Sequence, residues 1–166
     1  GTSSRWRQIN PVVTTPIGGL FSNLTLTNGA TPNTQLVGTA NAFTLQDSAG
    51  NVVRRTSLNC TADSAVAGAG GLDTGSFTVS TWYSYWFIYN PATNTDSCLL
   101  STASAFGSLT LPSGYTFAAR AGWNRTIAGA AQFNRVMQKG SRAQYVVSAS
   151  VTTALPVLLW DGRIVL

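Results

Sequence analysis

The sequence predicts an all-β fold, an antiparallel β-sandwich of jelly-roll-like form, and three observations carry the expectation. Short β-branched or aromatic runs recur between clusters of Gly, Pro, Asn and Asp. Windows with apolar residues at i, i+3, i+4 and i+7 behind a capping residue are scarce. Charged residues are only 9% of the chain against a usual share of about 25%, and Ser, Thr, Asn, Gly and Ala take their place. Disorder combines low hydrophobicity with high net charge, and this chain is 44% hydrophobic. Its 166 residues suit one domain with a sizeable core. The expected organisation is a polar basic arm over 1–10 and a single β-rich domain over 11–166.

In chain order, strands are expected at 11–15, 22–28, 34–39, 42–47, 52–61, 76–79, 82–90, 97–102, 115–123, 132–138, 143–152 and 156–165. The turns between them support the boundaries. "TNGATPN" (27–33), "DSAGN" (47–51), "NPATNTD" (90–96) and "LPSGY" (111–115) combine residues that tolerate positive φ with prolines that fix it near −65°. "FTLQDSAGNVVRRTSL" and "IYNPATNTDSCLL" read as hairpins. Loops this short imply antiparallel pairing of sequential strands. The Gly/Ala-rich stretch 61–76, "TADSAVAGAGGLDTGS", is the expected long connection.

The strand 82–90, "WYSYWFIYN", concentrates the largest side chains. Strand alternation sends Trp82, Ser84, Trp86 and Ile88 to one face and Tyr83, Tyr85, Phe87 and Tyr89 to the other. Neither set suits water, so both faces need cover. The tyrosine face has apolar bodies and polar tips, which fits a subunit contact. A homo-oligomer, a homotrimer, is therefore expected, with an interface that includes Tyr83, Tyr85, Phe87 and Tyr89. A sugar-stacking platform is the alternative use of these rings.

Ten Lys and Arg face five Asp with no Glu and no His, a net charge of +5. The Arg residues are dispersed and lack a Lys-rich cluster. Packing along strands and at subunit contacts is expected of them, over a phosphate or anionic-glycan surface. Arg5, Trp6 and Arg7 in the arm are expected to dock on a neighbouring subunit or other partner protein, and not on nucleic acid. Without His, neither a Ser-His-Asp nor a Cys-His arrangement can be assembled from the chain, and zinc loses its commonest ligand. Asp63 and Asp73 flank the long loop and are the one carboxylate pair placed to meet. The expectation is no enzyme, no catalytic residues, no cofactor and no metal.

Cys60 and Cys98 are too few for a disulfide framework, and both are expected as buried, reduced thiols. No apolar run approaches the ~20 residues of a membrane span, and no membrane partner is expected. The chain begins at Gly1 without Met or a signal-peptide pattern, as a trimmed or excised product would.

The stretch 68–126 carries a Gly-Leu-Asp-Thr-Gly entry (Gly71 to Gly75), a Thr-Trp-Tyr strand ending in Tyr-Asn-Pro (Thr81 to Pro91), a Leu-Leu-Ser-Thr strand (Leu99 to Thr102), Leu-Pro-Ser-Gly-Tyr (Leu111 to Tyr115), and an Arg-rich strand (Arg120 to Thr126). In this order the motifs resemble a domain of structural proteins of tailed phages and prophages, of tail-associated or decoration type. "FNRVMQKGSRAQYVV" (133–147) resembles its continuation. The resemblance implies a virion component assembled in the host cytoplasm among other virion proteins. A tail-fibre or tail-tip module with host glycan contact is the first expectation. Capsid decoration is the second, and a carbohydrate-active enzyme the third. Loops carry function on a rigid scaffold, so the expected glycan contacts are Tyr115, which can stack on a sugar, and Asn94, Thr95 and Asp96, which can bond its hydroxyls.

Overall fold

The computed structural model describes residues 18–146, together with the backbone of two short strands near the C-terminus. The fold is all-β, as the composition and turn pattern predict. The strands are β1 (Phe21–Ser22), β2 (Thr25–Asn28), β3 (Gln35–Gln46), β4 (Val52–Asp63), β5 (Gly71–Leu72), β6 (Trp82–Asn90), β7 (Thr95–Ser101), β8 (Phe117–Arg125), β9 (Val136–Lys139) and β10 (Arg142–Tyr145). A separate pair, β11 (Val157–Leu158) and β12 (Ile164–Val165), is antiparallel. Among the described residues no helix is long and apolar enough to cross a membrane.

The hydrogen-bonded order is β10-β9-β2-β3-β8-β6-β7-β5, with β1 and β4 also on β3. One edge of β3 takes β4 along its whole length, from Gln35↔Asp63 to Gln46↔Val52. The other edge takes β2, then β1, and finally β8 through Gln46↔Ala118. At that last pair the sheet folds over, so β8-β6-β7-β5 faces β9-β2-β3-β4 as the second layer of a sandwich.

Several boundaries differ from those the sequence predicts. The expected strands at 34–39 and 42–47 are one strand, β3. The expected strand at 22–28 is split because Asn23 takes a φ of 51°, which separates β1 from β2. Residues 76–79 form no strand. There the Tyr83 hydroxyl donates to Ser76 O at 3.1 Å and accepts from Thr78 N at 2.9 Å, replacing ladder partners. The β3–β4 and β6–β7 hairpins form as read. Pairing is not wholly sequential, however: β5 lies parallel to β7, and β9 returns to β2.

The tyrosine face of β6 is the core of the single chain. Tyr83, Tyr85, Phe87 and Tyr89 are 1%, 0%, 0% and 8% exposed. This overturns their expected role as an oligomer interface, because the facing layer already covers them. Leu24, Leu26, Leu36, Phe43, Leu58 and Leu100 pack around them. Tyr85 reaches across the sandwich. Its hydroxyl donates to Cys60 O at 2.7 Å and accepts from Gly38 N at 3.2 Å. Only glycine fits opposite it, since a Cβ at Gly38 would sit 2.6 Å from the ring.

The other face of β6 is covered from within as well. Trp86, Ile88, Leu99 and Ala118 form a second cluster, capped by Phe106, Leu109, Leu111 and Tyr115 from the β7–β8 connection. Ser84 anchors that connection: its Oγ lies 2.8 Å from the carbonyls of Ser101 and Ala103 and accepts Trp86 Nε1–H at 2.6 Å. The β7–β8 connection thus supplies the cover that this face needs.

Cys60 on β4 and Cys98 on β7 form a disulfide between the two layers, not the free thiols expected. Their Cα atoms are 5.9 Å apart, inside the bridging range of roughly 4.4–6.8 Å. The facing of β4 and β7 brings them together, and sequence spacing could not reveal it. The same two strands share the Arg55–Asp96 ion pair.

Burial pushes the Tyr85 phenol far above its ordinary range. The unfolded chain loses tyrosine protons from about pH 10, while folded Tyr85 keeps its own. The stability this group contributes is therefore full below that pH and is lost as pH rises beyond it. We expect denaturant midpoints to fall steeply above about pH 10, and Tyr85→Phe to blunt the fall. An equal slope in both proteins contradicts the assignment.

Candidate functional site

Two regions gather polar or aromatic groups at the surface. The first is one end of the sandwich. Strand register aligns Gln46 with Ala118 and Ala118 with Ile88, so the turns after β3, after β6 and before β8 emerge together. The β3–β4 turn is closed by Asp47, whose carboxylate accepts from Ala49 N, Asn51 N and Asn51 Nδ2 at 2.8–2.9 Å. The Asn51 side-chain amide, helped by these backbone amides, holds that carboxyl below its usual range. In the β6–β7 turn, Asn90 Oδ1 accepts from Ala92 N at 3.0 Å. The 112–115 turn docks on it: a Cβ at Gly114 would lie 2.5 Å from Asn90 Nδ2.

The four expected glycan-contact residues do meet at this end, but most of their groups are already engaged. Asn94 takes a φ of 54° and its Oδ1 accepts from the Tyr89 hydroxyl at 3.1 Å. Thr95 is exposed and its Oγ1 accepts from Thr93 Oγ1 at 2.9 Å. Asp96 holds Arg55 in a two-point contact, Nε to Oδ1 at 2.7 Å and Nη2 to Oδ2 at 2.9 Å. Arg55 also lies 4.0 Å over the Tyr89 ring, and its bond to Asp96 raises the guanidinium above its ordinary value. Tyr115 packs on the Trp86 cluster and is only partly exposed. These contacts fasten the turns to the scaffold. Thr93 and Thr95 remain exposed.

The second region is the outer face of β6 and β8. Antiparallel register sets Trp86 against Arg120, Ser84 against Trp123 and Trp82 against Arg125. A bulge at Ala121, between Tyr85↔Gly122 and Trp86↔Arg120, puts Arg120, Trp123 and Arg125 on one face despite their odd spacing. Arg120 sits 4.9 Å from the Trp123 ring and 5.9 Å from the Trp86 ring, and its Nη1 donates to Ser104 O. Beyond this stack, Trp82, Trp123 and Tyr145 line a groove of about 210 Å³ with Val136, Ala143 and Gln144. Trp82 and Tyr145 are each 49% exposed. Burial pushes the Tyr145 phenol up, while the nearby Arg125 charge draws it back.

Sequence reading missed this groove. Strand alternation places Trp82 on the correct face, but the motifs that contain Trp123 and Tyr145 assign those rings no site, and the bulge that aligns Trp123 with Trp82 leaves no mark in a period-two pattern. Asp63 and Asp73 do not form a pair. Asp63 accepts from Gln35 Nε2 at 2.8 Å and Asp73 from Ser101 Oγ at 2.6 Å, in separate networks. Among the described residues, no three His, Cys, Asp or Glu side chains gather as a metal site would need. Arg5, Trp6 and Arg7 lie outside the described residues. Comparison with protein-family models, with curated protein sequences and with solved structures finds no match to the chain.

Proposed function

We propose that the chain is a non-catalytic structural module of a tailed-phage or prophage virion, set in the tail fibre or tail tip and touching host surface glycans. The motif order over 68–147 supports the virion reading. The observation that carries the contact role is the convergence of three polar turns at one end of a scaffold whose layers are cross-linked by Cys60–Cys98 and Arg55–Asp96. A fixed scaffold with hydroxyl- and amide-bearing turns holds polar donors in place for a sugar at little ordering cost. In this reading the module is a homotrimer. Its contacts move from the buried tyrosines to exposed apolar side chains such as Leu20 and Phe21, 59% and 43% exposed.

One observation favours capsid decoration as a second reading. All four residues of β10 are exposed, and among the described residues β10 ends the sheet order; a strand edge of this kind suits strand addition to a lattice neighbour. Immunogold electron microscopy of the parent particle with antibody to this chain separates the two. We expect label at the distal tail. Label over the capsid shell selects decoration, and particles without label refute both.

A further inference from the structure

The groove on the outer face of β6 and β8 has a more definite chemistry than the turns. Its walls are the rings of Trp82, Trp123 and Tyr145. Its volume, about 210 Å³, lies below the roughly 300–1,000 Å³ of drug-sized ligand sites and suits one ring-sized group. Aromatic walls offer π faces to the C–H face of a pyranose. The lining residues Gln144, Tyr145, Trp82 and Trp123 also carry an amide, a hydroxyl and two indole N–H groups with which a sugar can bond. Trp86, deeper in the same row, already gives its N–H to Ser84.

Charge narrows the ligand further. Arg125 is exposed, pairs in register with Trp82 and acts electrostatically on Tyr145. Arg120 adds a second positive charge against Trp123. Among the described residues the carboxylates are committed elsewhere: Asp47 to its own turn, Asp63 to Gln35, Asp73 to Ser101 and Asp96 to Arg55. Neither arginine lines the groove, but Arg125 sets a positive charge beside Trp82 and Tyr145, complementary to a ring with an acidic substituent.

We propose that this groove binds a single pyranose unit bearing a carboxylate, with the sugar ring stacked on Trp82 and Trp123 and the carboxylate on Arg125. The proposal goes beyond the contact at the polar turns and adds a second glycan contact on the face of β6 and β8. A protein partner would want the same residue types, since Trp, Tyr and Arg dominate interface hot spots. The ring-sized volume favours the sugar.

The test titrates the full chain with methyl β-D-glucuronide and with methyl β-D-glucoside, which differ in the carboxylate, and reads tryptophan fluorescence and saturation-transfer NMR. We expect saturable millimolar binding of the glucuronide and at least about tenfold weaker binding of the glucoside, equivalent to about 1.4 kcal/mol. Trp82→Ala, at a half-exposed position, should abolish the response with an unchanged circular dichroism spectrum. Arg125→Gln should bring the two sugars to similar affinity. Equal binding of both sugars by the unaltered chain, no saturable binding, or an unchanged response in Trp82→Ala overturns the proposal. So does self-association that Trp82→Ala abolishes without any sugar response, which would make the groove a protein contact. These measurements do not depend on where the chain sits on a particle. Failure of the groove thus leaves the immunogold result, and the virion reading, to stand or fall separately.

Discussion

Replacing Tyr85 with Ala is expected to cost about 3–5 kcal/mol, the usual loss for deleting a buried aromatic ring. That is a large part of the roughly 5–15 kcal/mol that holds a domain folded. Tyr85 is 0% exposed and joins the layers in two ways. Its ring lies edge-on to Phe87 at 5.4 Å and fills the space left open by Gly38. Its hydroxyl answers two backbone groups, Gly38 N and Cys60 O. Tyr85→Phe keeps the ring and strands both groups, so about 1–3 kcal/mol should be lost. Urea unfolding of the three proteins separates cavity from hydrogen bonding. A loss below about 1 kcal/mol for Tyr85→Ala, far outside the usual range for a buried ring, would refute the central role given to this side chain.

Removal of the disulfide should rank with it. Cys60 and Cys98 are 38 residues apart in sequence, and closing a loop of that size is worth about 4 kcal/mol in the chain-entropy account. The Cys60→Ala/Cys98→Ala protein should therefore unfold at markedly lower denaturant with a similar or greater dependence on its concentration. Such a bridge persists where the surroundings are oxidising. Mass spectrometry after alkylation without reductant should find no labelled thiol in the purified chain. Labelling of both cysteines would show that the bridge does not form, and unchanged stability in the double variant would show that it matters little.

The parts of the fold legible in the sequence are those set by neighbours in the chain. β6 was read to the residue because large apolar side chains occupy both faces and Pro91 ends it. The β3–β4 hairpin was read because Asp47 and Gly50 mark its turn. What sequence did not show depends on residues far apart meeting. The tyrosines face β3 and β4 rather than a second subunit, Cys60 meets Cys98, and the β7–β8 connection covers Trp86. The two inward sets along β3 illustrate the same point. Leu36 and Ala40 are even-numbered while Phe43 and Leu45 are odd. The change occurs beside Ser57 on β4, at a φ of 57°, which no alternation rule anticipates. The expected turn residues were brought to one end as read, but Asp96 and Asn94 serve the scaffold there. The Trp82–Trp123–Tyr145 groove rests on a bulge and on β10 lying near β8.

The closing of β9 onto β2 sets a timetable for the chain. Thr25 pairs with Lys139, and Asn28 is bonded to Asn134 O and Val136 N, 106 and 108 residues further on. At about 5–20 residues per second, a ribosome delivers β9 roughly 5–20 s after β2. Until then one edge of β2 has no strand beside it. Contacts this distant also slow folding once the chain is complete. A nascent or truncated chain that stops short of Val136 therefore presents an open strand edge beside Leu24 and Leu26, the kind of surface on which unfinished β proteins aggregate.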